Sequence, residues 1–290
     1  MATNTPFGQR LGLVLEGGAM RGIYTAGVLD VFLEAGIMPD VVVGVSAGAL
    51  HGCSYVAGQK GRSIRYYRKY RSDKHFMGLY SLLTTGDVVG TKFCYEDIPL
   101  RLDPFNEAAF EKAPVDFYVT VTNVRTGKPE YILCDELKVG SKMDVIRAGA
   151  SMPLCSKMVE WNGNLYLDGG VSDSIPYAKM KDFGCRKSIV VLTQPAGYLK
   201  QPAAMAPFEA MYRKYPAFVE AMRGRDQMYN TEVCAVEQAA KQGDVFLIRP
   251  SKLLHVGRME RDIEVLNAQY ELGRQDARNQ MDAMREWMER

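Results

Sequence analysis

The sequence lacks the residue patterns that mark several common functional classes. It has only three histidines, and its six cysteines include no C-x-x-C pair, so no metal-ligand cluster is indicated. No uninterrupted apolar run approaches the roughly 18 residues that a membrane span needs. The net charge of +2 is close to neutral and gives no global case for nucleic-acid binding. We therefore expect no metal, no other cofactor and no nucleic-acid partner.

The remaining composition indicates a folded protein of a reducing compartment. At 290 residues and 47% hydrophobic composition, the chain can bury a large core. Several cysteines fall inside apolar runs, as buried thiols do, and the first ten residues, MATNTPFGQR, contain no apolar segment typical of a secretory signal. We expect a cytoplasmic protein, with peripheral contact at the inner membrane face as a further option. The sequence does not indicate an oligomeric state.

One stretch, from Arg62 to Lys74, is strongly basic. It reads RSIRYYRKYRSDK and contains six basic residues and one aspartate. One interpretation is a solvated helix face with tyrosines packed beneath it. The alternative is a surface that attracts anionic headgroups or phosphates, which would make it a peripheral membrane contact.

Short apolar runs alternate with segments of helical periodicity along the chain. Residues 11–15 and 41–45 read as buried strands, and the helical pattern of 23–35 between them ends at Gly36. Later segments follow the same alternation: a hairpin (117–124 and 131–134), a helix (144–151), strands (165–167, 189–192 and 245–248) and long helical regions (208–240 and 260–289). This order predicts an α/β fold, a three-layer sandwich whose mainly parallel central sheet is covered by helices on both faces, with a helix-rich C-terminal third.

The most informative motif is Gly44-Val45-Ser46-Ala47-Gly48, which lies between a predicted strand and a predicted helix. A chain that leaves a strand and enters a helix within two residues makes a sharp, strained turn, and glycines on either side of the serine remove the Cβ atoms that would collide there. The turn places the hydroxyl at a helix N-terminus, where free N–H groups favour developing negative charge. Ser46 is therefore the candidate nucleophile.

Asp168 is the better candidate for the base that a serine nucleophile requires. It follows the short apolar run 165–167, and Gly169 and Gly170 after it would let another backbone approach closely. Because catalytic residues of parallel sheets collect at the carboxyl edge of the strands, we expect Asp168 to lie near Ser46.

A histidine base is the alternative. In α/β-hydrolases the histidine follows the acid along the chain, and only His255 lies late enough to complete a triad with Ser46 and Asp168. The residues around His255 carry no recognisable site motif. His51, on the helix after Ser46, and His75, which follows the basic stretch, are expected to be packing or surface residues.

The glycine-rich loop after the first strand is the candidate oxyanion hole. Successive backbone N–H groups around Gly17, Gly18 and Ala19 would form a concave anion site at the start of a helix. The loop departs from the dinucleotide pattern G-x-G-x-x-G because Ala19 occupies the third position, and Asp40 is poorly placed to bind a ribose. A non-catalytic lipid- or nucleotide-binding module stays open as an alternative function.

These three motifs, in this order, resemble those of the patatin-like phospholipase family. That family has a Gly-Gly-Gly-x-Arg/Lys-Gly loop, a Gly-x-Ser-x-Gly elbow and an Asp-Gly-Gly/Ala motif, which correspond here to residues 17–22, 44–48 and 168–170. The resemblance covers roughly residues 11–195. It implies a catalytic domain over 1–195 and a helix-rich extension over 196–290 packed on the same domain.

The resemblance also implies roles for individual residues. Ser46 would be the nucleophile and Asp168 its base, a dyad without histidine, and the amides of Gly17, Gly18 and Ala19 would hold the oxyanion. Arg21 matches the basic position of the loop, where it would stiffen the loop or attract an anionic substrate; the alternative for Arg21 is a salt bridge on a helix surface.

Two positions depart from the family pattern. Ala19 replaces a glycine, which adds strain if the position needs a positive φ. The segment after the Asp-Gly-Gly motif has no asparagine before Pro176.

The activity implied by the resemblance is that of a serine lipid acyl hydrolase acting on esters of phospholipids or lysophospholipids through an acyl-enzyme. Acyl transfer to an acceptor other than water stays open. Four methionines of the helical third, Met205, Met211, Met222 and Met228, would line an acyl groove or pack in the core.

Overall fold

The computed structural model describes residues 8–253 and 255–290, so residues 1–7, most of the segment considered for a secretory signal, lie outside the described residues. The strands of the central sheet are β1 (Arg10–Leu15), β2 (Val41–Val45), β3 (Asp116–Asn123), β4 (Pro129–Leu133), β5 (Val159–Trp161), β6 (Asn164–Asp168), β7 (Cys185–Val191) and β8 (Val245–Ile248). The helices are α1 (Ile23–Ala35), α2 (Ala47–Val56), α3 (Arg62–Tyr70), α4 (Leu79–Thr85), α5 (Glu107–Lys112), α6 (Met143–Gly149), α7 (Ala206–Met211), α8 (Pro216–Arg223), α9 (Arg225–Gln242), α10 (Ile263–Asn279) and α11 (Met281–Glu289), with a π-helix over Phe93–Leu102.

The sheet is mixed but mainly parallel. Along the order β3-β2-β1-β7-β8 every neighbouring pair is parallel. Strands β4 and β6 pair with β3 in the antiparallel sense, and β5 pairs antiparallel with β6. The predicted α/β class with a mainly parallel central sheet is confirmed.

Both faces of the sheet are buried, which gives three layers. Leu13 and Leu15 of β1 point into a core shared with helices α1, α2, α6 and α10. Val14, between them, points to the opposite core, where α9 contributes Tyr229 and Val236. The alternation follows from the two-residue period of a strand, and burial on both sides explains why these strands read as unbroken apolar runs.

The predicted elements of the first half are found with small shifts. Helix α1 occupies residues 23–35, and Gly36 ends it in the left-handed conformation with φ 69°. The 117–134 hairpin is the antiparallel pair of β3 and β4. The continuous helical region predicted over 208–240 is instead three helices, because Pro216 opens α8 and Gly224 separates α8 from α9.

The C-terminal third is packed on the rest of the fold. Strand β8 extends the sheet beside β7, and α10 lies against α1. The two helices approach closely because Gly27 faces the Tyr270 carbonyl and Gly273 faces the Tyr24 carbonyl, where an added Cβ would come within 2.1 Å of the oxygen in each case. The division of the chain at residue 195 stays a prediction.

Strand β6 lies in the position that β2 would occupy if it continued. Strands β2 and β4 pair with opposite edges of β3, and β6 pairs with the β2 edge just beyond the point where β2 ends. Val45 pairs with Thr120, and Asp168 pairs with the next residue, Val121. The carboxyl ends of β2 and β6 therefore meet head to head.

In the part of the chain that the structure describes, no helix combines the length and the apolar character needed to cross a bilayer.

Candidate active site

Ser46 lies at the turn between β2 and α2, with an unusual backbone conformation. Its φ is 52° and its ψ is −123°, a region that residues other than glycine rarely adopt. The turn is possible because Gly48 touches the end of β1: an added Cβ there would come within 2.3 Å of the Leu15 carbonyl oxygen. Ser46 is buried, and its backbone carbonyl accepts the first hydrogen bonds of α2 from Ala49 and Leu50. The elbow predicted from the sequence is present.

The structure brings Ser46 and Asp168 into hydrogen-bond contact. Ser46 Oγ donates to Asp168 Oδ2 at 2.6 Å, although the two residues are 122 positions apart in the chain. The other carboxylate oxygen accepts from the Gly170 backbone N–H at 2.8 Å, and the Asp168 carbonyl accepts from Thr122 Oγ1 at 2.8 Å. These contacts hold the carboxylate in one orientation toward the serine.

Asp168 does not follow a parallel strand, so that part of the prediction is wrong. Strand β6 runs antiparallel to β3 and approaches the active-site edge from the opposite direction. Proximity arises because β6 ends where β2 ends. Gly169 does permit a close backbone approach, since an added Cβ would lie 2.2 Å from the Thr120 carbonyl oxygen.

Burial changes the acid–base character of Asp168. It raises the pKa of the carboxyl above its ordinary value, while the hydrogen bond from Ser46 and the nearby charge of Arg225 partly offset the increase. A carboxylate with a raised pKa is a stronger base than an exposed aspartate, so this environment favours removal of a proton from Ser46.

The glycine-rich loop lies directly against the serine. An added Cβ on Gly17 would come within 2.7 Å of Ser46 Cβ, so only glycine permits this approach. Within residues 8–253 and 255–290, the backbone N–H groups of Gly17, Gly18 and Ala19 donate to no protein acceptor. Ala19 has φ 50°, the positive value that the sequence analysis associated with strain, and costs about 1–2 kcal/mol relative to glycine.

Glu16 anchors the loop, and the sequence analysis did not identify it. The Glu16 carboxylate is buried and accepts hydrogen bonds from the Thr193 backbone N–H at 2.6 Å and from Tyr229 Oη at 3.0 Å. Thr193 Oγ1 also donates to the Gly17 carbonyl at 3.0 Å. Burial raises the pKa of Glu16. Neither Thr193 nor Tyr229 lies in a motif, so no sequence signal pointed to this anchor.

Arg21 is half-buried and borders the site. Its guanidinium forms no ion pair in the described part of the chain, and its Nε is buried without a hydrogen-bond partner. The alternative of a surface salt bridge for Arg21 is wrong.

An apolar cavity opens from Ser46. It encloses about 910 Å³ with its open mouth included, and its wall includes Leu50, Tyr66, Phe76, Ile98 and Met143. Those residues come from α2, α3, the π-helix and their neighbours, not from the methionines of the helical third. Of those methionines, Met211 is 60% exposed. Met222 is buried and lines a second cavity, which is described next.

The second cavity opens from the same serine and is more polar than the first, although much of its wall is apolar; it is called the polar cavity below. Ser46, Ala19 and Met152 belong to the walls of both cavities. The polar side chains around the second one include Glu16, Lys200 and Arg225. A lipid ester that occupied both cavities would therefore have its carbonyl beside Ser46.

The histidines lie away from the dyad. His51 is buried on α2, where burial lowers the pKa of its ring to about 3 and keeps it neutral. The His75 ring contacts Asp73 at 2.8 Å, and His255 is exposed in the loop before α10. Across the described residues, no histidine ring hydrogen-bonds to Ser46 or Asp168.

The basic stretch is only partly a surface. Arg62 and Arg71 are buried. Arg65 donates from Nε and Nη2 to the two carboxylate oxygens of Asp103. The tyrosines of α3 are buried beneath it, and two of them, Tyr66 and Tyr67, line the apolar cavity. Four of its cations are exposed: Arg65, which is paired with Asp103, and Arg68, Lys69 and Lys74.

The described residues contain no group of three or more His, Cys, Asp or Glu side chains that could hold a metal ion.

Comparisons with known proteins agree with these motifs. A sequence model of the family "Patatin-like phospholipase" matches residues 13–180, and a model of a domain of unknown function (DUF6363) matches residues 215–289. The chain is 28% identical over 273 residues to the uncharacterized protein YjjU of Escherichia coli (strain K12), which covers 91% of this chain and 75% of that protein.

It is also 30% identical over 182 residues to the lysophospholipase nte1 of Aspergillus terreus (strain NIH 2624 / FGSC A1156), which covers 61% of this chain but 11% of the fungal protein. The chain thus spans about a tenth of that relative. VipD from Legionella pneumophila superposes with a TM-score of 0.47 and 13% identity over 96% of this chain and 67% of that one. A likeness at that level carries no information on activity.

Proposed function

The chain belongs to the patatin-like phospholipase family, and we propose that it is a serine lipid acyl hydrolase that cleaves carboxylic esters of phospholipids or lysophospholipids. The observation that carries the proposal is the 2.6 Å hydrogen bond from Ser46 Oγ to Asp168 Oδ2. A lysophospholipase among the relatives supports the lipid class of the substrate.

Acylation begins with attack by Ser46 Oγ on the ester carbonyl carbon while Asp168 accepts the hydroxyl proton. The tetrahedral intermediate collapses, the bond to the alcohol oxygen breaks, and the departing alcohol takes the proton from Asp168. Water then attacks the acyl-enzyme and gives its proton to Asp168. The acid leaves, and the proton returns to Ser46.

The oxyanion needs hydrogen-bond donors that are already in place. Among the described residues, the N–H groups of Gly17, Gly18 and Ala19 have no acceptor, and Gly17 lies against the serine. The amino terminus of α2 adds a favourable dipole. The strain at Ala19 is consistent with a loop shaped for binding rather than for stability.

The acyl chain would occupy the apolar cavity. Its wall is almost entirely hydrophobic or aromatic, and each methylene group transferred from water contributes about 0.8 kcal/mol to binding. An apolar wall discriminates between chain lengths only modestly, so we expect a preference for long acyl chains without a sharp cut-off.

His255→Ala is expected to leave kcat/KM for a lipid ester within about twofold of wild type, because the exposed imidazole does not contact the dyad. The assay is fatty-acid release from a panel of phospholipids and lysophospholipids, with products identified by mass. Loss of most turnover in this variant would favour the triad instead. Appearance of a new ester when an alcohol acceptor is added would indicate transfer rather than hydrolysis.

We also propose that helix α4 contacts the lipid surface. Leu79 and Leu83 are 69% and 77% exposed, and Lys74 packs its ammonium over the Tyr80 ring at 4.5 Å. Helix α4 lies in the segment between Met77 and Val89. These two residues pair with each other in an isolated antiparallel β-bridge, and both line the apolar cavity. Exposed leucines next to cations at a cavity mouth suit insertion into an anionic membrane surface.

The double substitution Leu79→Ser and Leu83→Ser is expected to weaken binding to anionic vesicles about tenfold or more, because two inserted side chains are lost. Co-sedimentation with vesicles measures the effect. The matched control is Leu133→Ser with Met211→Ser, two residues exposed on other elements. Equal loss in both double variants would contradict a specific role for α4.

A further inference from the structure

The polar cavity beside Ser46 contains a cluster of four cationic side chains. Arg21 comes from the glycine-rich loop, Lys200 from the segment before α7, Arg225 from the first turn of α9, and Arg258 from the loop before α10. All four line the same space, and Ser46 and Asp168 lie in its wall.

The positive charge of this cluster is not neutralised by ion pairs. In the described residues none of the four cations lies within ion-pair distance of a carboxylate. Arg225 donates from Nε to the Gly170 carbonyl at 2.6 Å, and the Lys200 ammonium lies over the Tyr229 ring at 4.1 Å. Arg21 Nε is buried with no hydrogen-bond partner. Donors therefore remain available for a ligand.

The cavity also has two carboxyl groups, Glu16 and Asp168, but they do not balance the cluster. Both are already engaged, Glu16 with Thr193 and Tyr229, and Asp168 with Ser46. Burial raises the pKa of each and so disfavours its ionised form. Four cations face at most two anions.

The pKa of Lys200 reflects its burial first and its cationic neighbours second. Burial, followed by the charge of Arg225, lowers its pKa to about 8. Keeping like charges together in a half-buried space is unfavourable unless an anion is bound there. The arrangement is therefore suited to a ligand with concentrated negative charge, and phosphate is a group that arginine and lysine both bind well.

Three of the four cations lie beyond residue 180, where the match to the family ends. Arg225 and Arg258 fall within residues 215–289, the region that matches a domain of unknown function. The C-terminal third therefore contributes side chains directly to the space next to the nucleophile.

We propose that this polar cavity is a phosphate subsite, formed mainly by Lys200, Arg225 and Arg258 of the C-terminal third, that selects lipid esters with a net negative headgroup over zwitterionic ones. The inference rests on the proposed function, since it places the acyl chain in the apolar cavity, the ester at Ser46 and the phosphate among the cations. A choline-type headgroup would add a cation to the cluster and be disfavoured.

The test compares three substrates with the same acyl chain: a lysophospholipid with a phosphomonoester headgroup, the matching choline lysophospholipid, and the neutral monoacylglycerol. Wild type is expected to show a kcat/KM at least tenfold higher for the anionic lipid than for the choline lipid. Lys200→Gln and Arg258→Gln should each lower kcat/KM for the anionic lipid about tenfold and change that for the neutral ester less than twofold. Lys214→Gln, an exposed lysine of the same region, is the matched control and should not change the preference.

A binding measurement separates this inference from the proposed function. Calorimetry with glycerol 3-phosphate and with inorganic phosphate is carried out on the full-length wild type and on Lys200→Gln. Binding of glycerol 3-phosphate that is lost in the variant supports the subsite even if no ester is turned over. Tighter binding of inorganic phosphate, with no preference among the three esters, would assign the site to free phosphate and overturn the inference. Equal losses of kcat/KM for the anionic and the neutral ester in Lys200→Gln and Arg258→Gln would overturn it as well. Turnover of the neutral ester by wild type would still support the hydrolase proposal.

Discussion

Ser46→Ala is expected to lower kcat for any ester by about 10⁴-fold or more, because no acyl-enzyme can form without the hydroxyl. The change should cost little stability. Alanine meets the same backbone constraint as serine at φ 52°, and the variant loses one buried hydrogen bond worth about 1 kcal/mol. The measurement is fatty-acid release together with labelling by a fluorophosphonate probe, with the labelled peptide identified by mass.

The matched control for Ser46→Ala is Ser188→Ala, which removes another buried hydroxyl from strand β7. It should keep full activity and full labelling. If Ser46→Ala retained substantial turnover, the nucleophile would lie elsewhere. If wild type bound lipids but never reacted with the probe, the chain would be a lipid-binding module in which the turn around Ser46 has only a structural role.

Asp168→Asn is expected to reduce kcat by about 10³-fold while raising thermal stability at neutral pH. The amide has the shape of the carboxyl group and can still accept from Gly170 N–H, but it cannot take the Ser46 proton. The gain in stability follows because burial raises the pKa of Asp168, so the folded protein at neutral pH bears the cost of a buried charge that asparagine lacks.

The sign of the pH dependence provides a second test at Asp168. A carboxyl group whose pKa is raised in the folded state binds protons more readily when folded, so its contribution stabilises the fold as pH falls through the raised pKa toward the ordinary value of about 3.9. The melting temperature of wild type should therefore approach that of Asp168→Asn in mild acid. Activity should fall in the same window, with an acidic limb above the ordinary aspartate value of about 3.9, because Asp168 must be ionised to accept the Ser46 proton.

Two results would contradict this account of Asp168. One is an Asp168→Asn variant with near wild-type turnover, which would remove the carboxylate from the mechanism. The other is a destabilised variant with no change in its pH profile, which would reduce Asp168 to a structural role as acceptor for Gly170.

The amino-acid sequence was sufficient for features that depend on neighbouring residues. The elbow around Ser46 and the end of α1 at Gly36 were predictable because glycine relieves local clashes and permits positive φ. The buried strands were predictable because both faces of a parallel sheet are covered, which leaves unbroken apolar runs. The alanine in the glycine-rich loop could be identified as a strained position for the same local reason.

Only the tertiary structure decided features that join distant parts of the chain. Three features depend on packing between segments far apart in sequence: the direction of β6, the anchoring of Glu16 by Tyr229, and the cations that reach the site from α9, the segment before α7 and the loop before α10. The apolar cavity is likewise built largely from α3 and the π-helix, whose tyrosines and apolar residues read as ordinary core.

Local sterics and periodicity act over a few residues and leave a readable pattern in the chain. The motifs predicted that Ser46 and Asp168 would lie close together, but the contact across 122 positions arises because two strands end head to head along one edge of β3, and no local pattern encodes that arrangement.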